Sequence, residues 1–355
     1  MDFKQEISEL NTKLNILITG SSGFFGTVLF KELSRDGHFV FGLDLVKSKS
    51  IPIKNQVICD LRNYKSIIDE LANYNFDVII HLAAQIDFAI SDQKLLYKNN
   101  VESTKNISEY AKNKNVKRLI FTSSNSIFLG LNKSIIMHSD VPHPVDFYGK
   151  SKRDSEIILD EYKKYFYVNI LRCPNIIDSG RVGMLSILFE LLRSNATLWV
   201  LDKGIIKHQS LYAKDLCSAI TKLLTLNKSI TLNIGSDNVM SFFDVFNKLI
   251  AKSQSKSNIR SLPIFLILPL MKLLYLFRLS PLGPYQFRML TKNFEFDLSV
   301  IKKELNWHPS KDNFEMLHLA YSYYLNNLDK IKKNGSANSS KINMGVLSVL
   351  KYIKW

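Results

Sequence analysis

The sequence predicts an α/β protein: a doubly wound parallel sheet followed by a smaller, mixed C-terminal portion. Three observations carry this. Short apolar runs alternate with amphipathic stretches from residue 14 to about residue 174, a glycine-rich turn joins the first run to the first helix, and 355 residues of 46% hydrophobic content can bury one large core or two coupled ones. Leu14 to Thr19 reads as a strand and Phe24 to Arg35 as a helix with one apolar face. Strand-like runs recur at His38 to Asp44, Gln56 to Asp60, Phe76 to Leu82, Val116 to Ser123 and Tyr167 to Arg172, with helical patterns between them. Strands separated by helices pair in parallel under helices on both faces, and such a sheet binds ligands at the carboxyl ends of its strands. After Pro174 the alternation becomes irregular.

Lysine and arginine outnumber acidic residues 47 to 32, a net charge of +15. That excess faces phosphorylated substrates, an anionic membrane surface or nucleic acid. No zinc-finger spacing, aromatic RNA-binding signature or basic-region heptad is present, so nucleic acid is not an expected partner. The cysteines, Cys59, Cys173 and Cys217, lie far apart with no Cys-x-x-Cys pair, which predicts reduced, buried thiols and no metal site. Met1 to Lys13 mixes charged and polar residues without an apolar run, so no secretory signal and a cytoplasmic protein are expected. Leu262 to Leu279 is strongly apolar but interrupted by Pro263, Pro269, Lys272 and Arg278, too broken for a membrane span. Two readings stay open for it: the core of the smaller domain, or an interfacial patch that, with the basic segment 341–355, touches an anionic membrane.

In Thr19-Gly20-Ser21-Ser22-Gly23-Phe24-Phe25-Gly26 a strand ends and a helix begins. Gly20 permits the tight turn, Gly23 lets backbone approach a pyrophosphate, and Gly26 allows close helix-to-sheet packing, while the helix N-terminus offers unpaired N–H groups to phosphate. Asp44 ends the next strand 18 residues after Gly26, where a carboxylate accepts hydrogen bonds from the adenosine ribose hydroxyls. A 2'-phosphate beside it would be repelled, so NAD is favoured over NADP, with Lys47 close enough in sequence to soften the preference. Asp60 either accepts from the adenine amino group or caps the helix that follows.

Tyr148-Gly149-Lys150-Ser151-Lys152 sets a phenol and an ammonium four residues apart, on one face of a helix. A nearby cation favours the phenolate and fits the tyrosine to exchange a proton with a carbinol oxygen. A hydroxyl at the end of the preceding strand is the third group expected, and Thr122-Ser123-Ser124-Asn125-Ser126 supplies candidates.

Gly20-x-x-Gly23-x-x-Gly26, His81-Leu82-Ala83-Ala84, Asn100 before Ser103-Thr104, Thr122-Ser123-Ser124 and Tyr148-x-x-x-Lys152 together resemble the extended short-chain dehydrogenase/reductase family, the NAD-dependent sugar epimerases and dehydratases. The likeness runs from about Leu14 to Tyr324 and includes Leu171-Arg172-Cys173-Pro174-Asn175, Asn233-Ile234-Gly235-Ser236 and Leu305-Asn306-Trp307-His308-Pro309. It implies a catalytic Ser124, Tyr148 and Lys152. NAD would be held by Gly20, Ser22, Gly23, Phe24, Phe25, Gly26, Asp44, Asp60, Leu61, Leu82, Ala83, Ala84, Asn100, Thr122, Tyr148, Lys152 and Pro174. Ser124, Asn125, Ser126, Asn175 and His208 would face the substrate. The implied organisation is an extension over 1–13, a Rossmann domain over 14–174 with strands returning from about 205 to 236, a mostly substrate-binding portion over 175–330 and a basic amphipathic tail over 331–355. A homodimer is the family expectation.

The resembling dehydratases carry an Asp-Glu pair after the catalytic threonine, and decarboxylating relatives a Glu at the second position; here those positions are Asn125 and Ser126, which disfavours both reactions. Two reactions remain, epimerisation at C4 and a net alcohol/ketone interconversion; the leading expectation is C4 epimerisation of an activated hexose, nucleotide-linked or polyprenyl-diphosphate-linked, through a transient 4-keto sugar in surface polysaccharide synthesis, with the enzyme in the cytoplasm or at the inner face of the membrane. The alternatives are a keto-sugar reductase or 3-beta-hydroxysteroid-type dehydrogenase, and a non-catalytic NAD sensor. His208 stands near the place of an arginine in nucleotide-sugar members, either as a phosphate ligand or as a plain surface residue.

Overall fold

A computed structural model describes residues 13–86, 92–183, 185–277 and 284–334. Its centre is a seven-stranded sheet. Strands β1 (Asn15–Thr19), β2 (Phe39–Asp44), β3 (Gln56–Ile58), β4 (Val78–His81), β5 (Arg118–Ser124), β7 (Tyr167–Cys173) and β11 (Ile230–Asn233) lie in the order β11-β7-β5-β4-β1-β2-β3. Every pairing in it is parallel. The order reverses between β1 and β4, which opens a crevice beyond Thr19 and His81 at their carboxyl ends.

The apolar runs read as they do because both sheet faces are buried. In β1, Ile16 and Ile18 enter one core with Leu29 and Leu33 of α1 (Phe24–Arg35) and Leu216 and Ile220 of α6 (Ala213–Leu223). Leu17 enters the opposite core, with Leu43, Ile79, Phe121 and Tyr110 of α3 (Gln93–Asn113). Between α1 and α3 along the chain runs the short α2 (Tyr64–Glu70), and α4 (Phe147–Tyr162) packs beside α3.

The smaller part has its own core, where Phe189 and Leu192 of α5 (Leu185–Arg193), Val245 and Leu249 of α7 (Phe242–Ser253) and Met316 and Tyr321 of α11 (Asn313–Asn326) meet. Three two-stranded parallel ribbons lie outside the main sheet: β6 (Ile135–Ile136) with β13 (Glu295–Phe296), β8 (Asn175–Ile177) with β10 (Ser210–Tyr212), and β9 (Leu198–Leu201) with β12 (Ile259–Leu262). After α10 (Ser299–Leu305) the chain turns through Asn306 in the left-handed region, and Trp307 donates its indole N–H to Asp215 O (3.0 Å) and Ser218 Oγ (2.9 Å) on α6. That bolts the C-terminal part to the main sheet's helices. The remaining helices are α8 (Ile264–Leu276), α9 (Pro284–Thr291) and α12 (Leu328–Asn334).

Within the stretch read as too broken for a membrane span lies the 13-residue helix α8: Pro263 takes the N-cap position and Pro269 sits inside the helix. None of its residues is buried, and Phe265 and Leu276 are 72% and 74% exposed. This overturns the reading of these side chains as the smaller domain's core. Segment 341–355, also proposed for membrane contact, lies outside the described residues, as does most of the extension over 1–13.

Candidate active site

The glycine turn is built for close backbone approach. Gly20 has φ +70, its N–H donates to Leu43 O (2.8 Å), and a Cβ here would come within 2.7 Å of Ala83 N. At Gly26 a Cβ would meet Gly20 O at 2.3 Å, so α1 can lie on the turn only without a side chain. Gly23 is the N-cap of α1 and makes no side-chain cap bond, leaving first-turn N–H groups for an anion. Asp44 stands at the end of β2 and its Oδ2 accepts from Ser22 N (2.9 Å), so the carboxylate flanks the same turn. Bare backbone from Gly20, Gly26 and Ala83 with a carboxylate at the rim fits a dinucleotide lacking a 2'-phosphate, which is NAD. Leu82 and Ala84 lie partly exposed beside Ala83 at the end of β4.

Asp60 is paired with Arg62, which holds its carboxyl below the usual range by hydrogen bonding and charge. It does not cap the next helix. Asn63 does, its side chain accepting from Ser66 N (3.2 Å). Asn100 is buried in α3, where it donates to Gln85 O (3.0 Å) and Ser151 Oγ (3.1 Å) and so fixes the segment after β4 against α4.

The catalytic candidates converge at the start of α4. Asp146 caps this helix, and its carboxylate accepts from Gly149 N (2.6 Å). A Cβ at Gly149 would fall 2.7 Å from Ser126 O, so the helix start rests directly on the turn that follows β5. This contact brings Tyr148 to the end of the strand that carries Ser124. Lys152, one turn on and 3% exposed, has its Nζ 5.9 Å from the Tyr148 ring centroid and donates to Thr122 O (2.8 Å). Burial pushes the Lys152 ammonium down to about 8, against the opposing pull of Cys173 and Glu156, so the cation beside the phenol is present below that pH and fades above it.

Ser124 Oγ accepts from Ser126 N (3.2 Å) and pairs with Ser126 Oγ (2.9 Å). Asn125 and Ser126 are themselves fully buried behind it. Asn175, exposed at the start of β8, follows Cys173, the register partner of Ser124, across buried Pro174. His208 does not join the site as a cation. It is 7% exposed, packed against Met289 and tilted on Phe294, and burial lowers its pKa to about 4, so it is a neutral core side chain rather than a phosphate ligand or a surface residue.

Two features escaped the sequence reading. Arg172 makes a two-pronged bond to Glu156 (3.0 and 2.8 Å) under the Phe128 ring, tying α4 to β7 and to the turn after β5. Arg181, flanked by Gly180 and Gly183, stands over the Phe24 ring. A charged residue between two glycines just after a strand was the available signal. Among the described residues no cluster of three His, Cys, Asp or Glu could hold a metal, all three cysteines are free and buried, and no helix is long and apolar enough to cross a membrane.

Comparison with known proteins agrees with this geometry. An uncharacterized protein of Sinorhizobium fredii, y4nG, is 27% identical over 343 residues, 95% of this chain and 85% of that one. The N-acetyl-alpha-D-glucosaminyl-diphospho-ditrans,octacis-undecaprenol 4-epimerase of Escherichia coli O157:H7 is 35% identical over 148 residues, 42% of this chain and 43% of that one. Among solved structures, the UDP-glucose 4-epimerase of Thermotoga maritima superposes with a TM-score of 0.73 at 20% identity, over 88% of this chain and 99% of that one, a likeness of fold. A sequence model described as the NAD dependent epimerase/dehydratase family matches residues 16–235, and with the glycine cradle and the Tyr148–Lys152 helix in place the chain belongs to that family and is an NAD-dependent enzyme of it.

Proposed function

We propose that this enzyme epimerises C4 of an activated hexose, carried on a nucleotide or a polyprenyl diphosphate, through a transient 4-keto sugar. The observation that carries the reading is the meeting of Tyr148, Lys152 and Ser124 at the rim of the sheet, with Asn125 and Ser126 buried where an acid–base pair for elimination would stand. NAD, held by the glycine turn and Asp44, would supply a reversible hydride acceptor for C4. Ser124 hydrogen-bonds the C4 oxygen, Tyr148 as the phenolate removes the hydroxyl proton and as the phenol later restores it, and the Lys152 ammonium favours the phenolate that begins and ends this cycle. A neutral Asn125 and Ser126 offer no acid or base for loss of water.

The test is turnover by purified enzyme without added cofactor. Interconversion of C4 epimers among UDP-hexoses or undecaprenyl-diphosphate hexoses, with no net change in NADH absorbance, is the expected result. Stoichiometric consumption of NADH would replace this reading with a keto-sugar reductase. Binding of NAD without any turnover would replace it with a sensor.

The 13-residue helix α8 supports a seat for this cytoplasmic enzyme at the inner face of the membrane. It exposes Phe265, Leu266, Leu270, Leu273 and Leu276, more apolar surface than a soluble helix carries without a partner. Through Leu268, Lys272 and Tyr275 it also walls a cleft of about 550 Å³ whose other lining includes Arg288, Gly130 and Asp146, the cap of the catalytic helix. An amphiphilic sugar diphosphate would lay its lipid along α8 with its head toward Tyr148. Co-sedimentation with vesicles rich in anionic lipid is expected at low salt, weakening as salt rises. Leu273→Glu should reduce it, and failure of the unmodified protein to bind at low salt would remove the membrane seat.

A further inference from the structure

Arg181 lies in the loop after β8, in a bend set by Gly180 and Gly183, both with positive φ, and by Arg181 N donating to Asp178 O (3.0 Å). Its guanidinium carbon is 5.6 Å from the centroid of the Phe24 ring, the first helical residue after the glycine turn. Burial pushes the guanidinium below its ordinary range, against the opposing charge of Tyr148. Arg181 thus stands beside the phosphate-receiving turn, at the start of α1.

Other arginines in the structure have oxygen partners: Arg172 bonds Glu156, Arg62 bonds Asp60, Arg193 bonds Glu190 and Arg118 bonds Asn169. Arg181 has no carboxylate partner among the described residues. The ring face covers one side of this half-buried guanidinium and leaves the N–H donors at its edge for an oxygen partner.

We propose that Arg181 binds an anionic oxygen group of a ligand in the catalytic crevice, a phosphate or a carboxylate, gripping it between the glycine turn and Tyr148. The planar fork of donors matches two oxygens of either group. Three ligands can bring such a group to this position: the diphosphate of the dinucleotide, the diphosphate that links sugar to carrier, and a carboxylate on the sugar itself. The inference rests on the reading of this crevice as the site of turnover, but it is tested by binding alone.

Arg181→Gln and Arg181→Lys should be compared with the unmodified protein for affinity toward NAD, UDP-glucose, UDP-glucuronic acid and farnesyl diphosphate, with the ligand-free unfolding midpoint as the check on folding. Loss of the paired charge should weaken the relevant ligand about tenfold or more in the Gln variant, and the Lys variant, which keeps charge but not the fork, should recover part of it. Weakened NAD identifies the dinucleotide phosphate. Equal weakening of both UDP-sugars, or of farnesyl diphosphate, identifies the carrier diphosphate, and weakening confined to UDP-glucuronic acid identifies the sugar carboxylate. If NAD binds the unmodified protein and every ligand that binds it stays within about twofold in a folded Gln variant, the proposal is wrong. If NAD does not bind the unmodified protein, the functional reading itself has failed.

Discussion

Tyr148→Phe should lower turnover by about 10²- to 10⁴-fold, the contribution of a positioned proton-transfer group, while affinity for NAD changes little. The hydroxyl is the one group removed, and α4 does not depend on it: Asp146 caps the helix, Gly149 seats it on Ser126 O, and the Arg172–Glu156 pair anchors its third turn. Lys152 keeps its bond to the Thr122 carbonyl, so the substitution separates chemistry from architecture. Single-turnover rates with tightly bound NAD, together with a cofactor titration, measure the two effects independently. Undiminished turnover in this variant would dismiss Tyr148 as the acid–base group.

Gly26→Ala should abolish cofactor binding for a different reason. The added methyl would stand 2.3 Å from Gly20 O and 2.7 Å from Ser21 Cα, both parts of the backbone, so no flexible side chain can give way. Helix α1 must then move outward, which withdraws its first-turn N–H groups from the phosphate position and opens the core formed by Leu29 and Leu33. Overpacking of this kind costs about 1–3 kcal/mol in stability. We expect a lower urea midpoint and NAD affinity reduced by at least about a hundredfold, since misplaced donors no longer meet the phosphate. A variant that binds NAD as the unmodified chain does would show that the glycine turn is not the dinucleotide cradle.

Much of this was legible in the residues. The strands β1, β2, β4, β5 and β7 announce themselves because a parallel sheet covered on both faces needs continuous apolar runs, such as Val78–His81. The glycine turn and the Tyr148–Lys152 spacing are local patterns whose chemistry survives without tertiary information. The ribbons are not local: β6 has two residues and pairs with β13 some 160 positions later, and nothing in Ile135-Ile136 names that partner. His208 looked polar and available because burial by Met289 and Phe294 is decided by chain segments far away. In α8 the prolines looked like breaks, yet Pro263 merely begins the helix, and Pro269 falls in its first half among side chains that face away from any core.

The sheet delivers the ends of β1, β4 and β5 to one rim, whereas Arg181 and the α8 wall of the cleft hang from connections that the sheet does not need. Substitutions of Arg181 or of the exposed α8 side chains are expected to leave both cores of the sheet intact. On the proposed reading, ligand preference would then be set by side chains on connections that neither face of the sheet needs for its core.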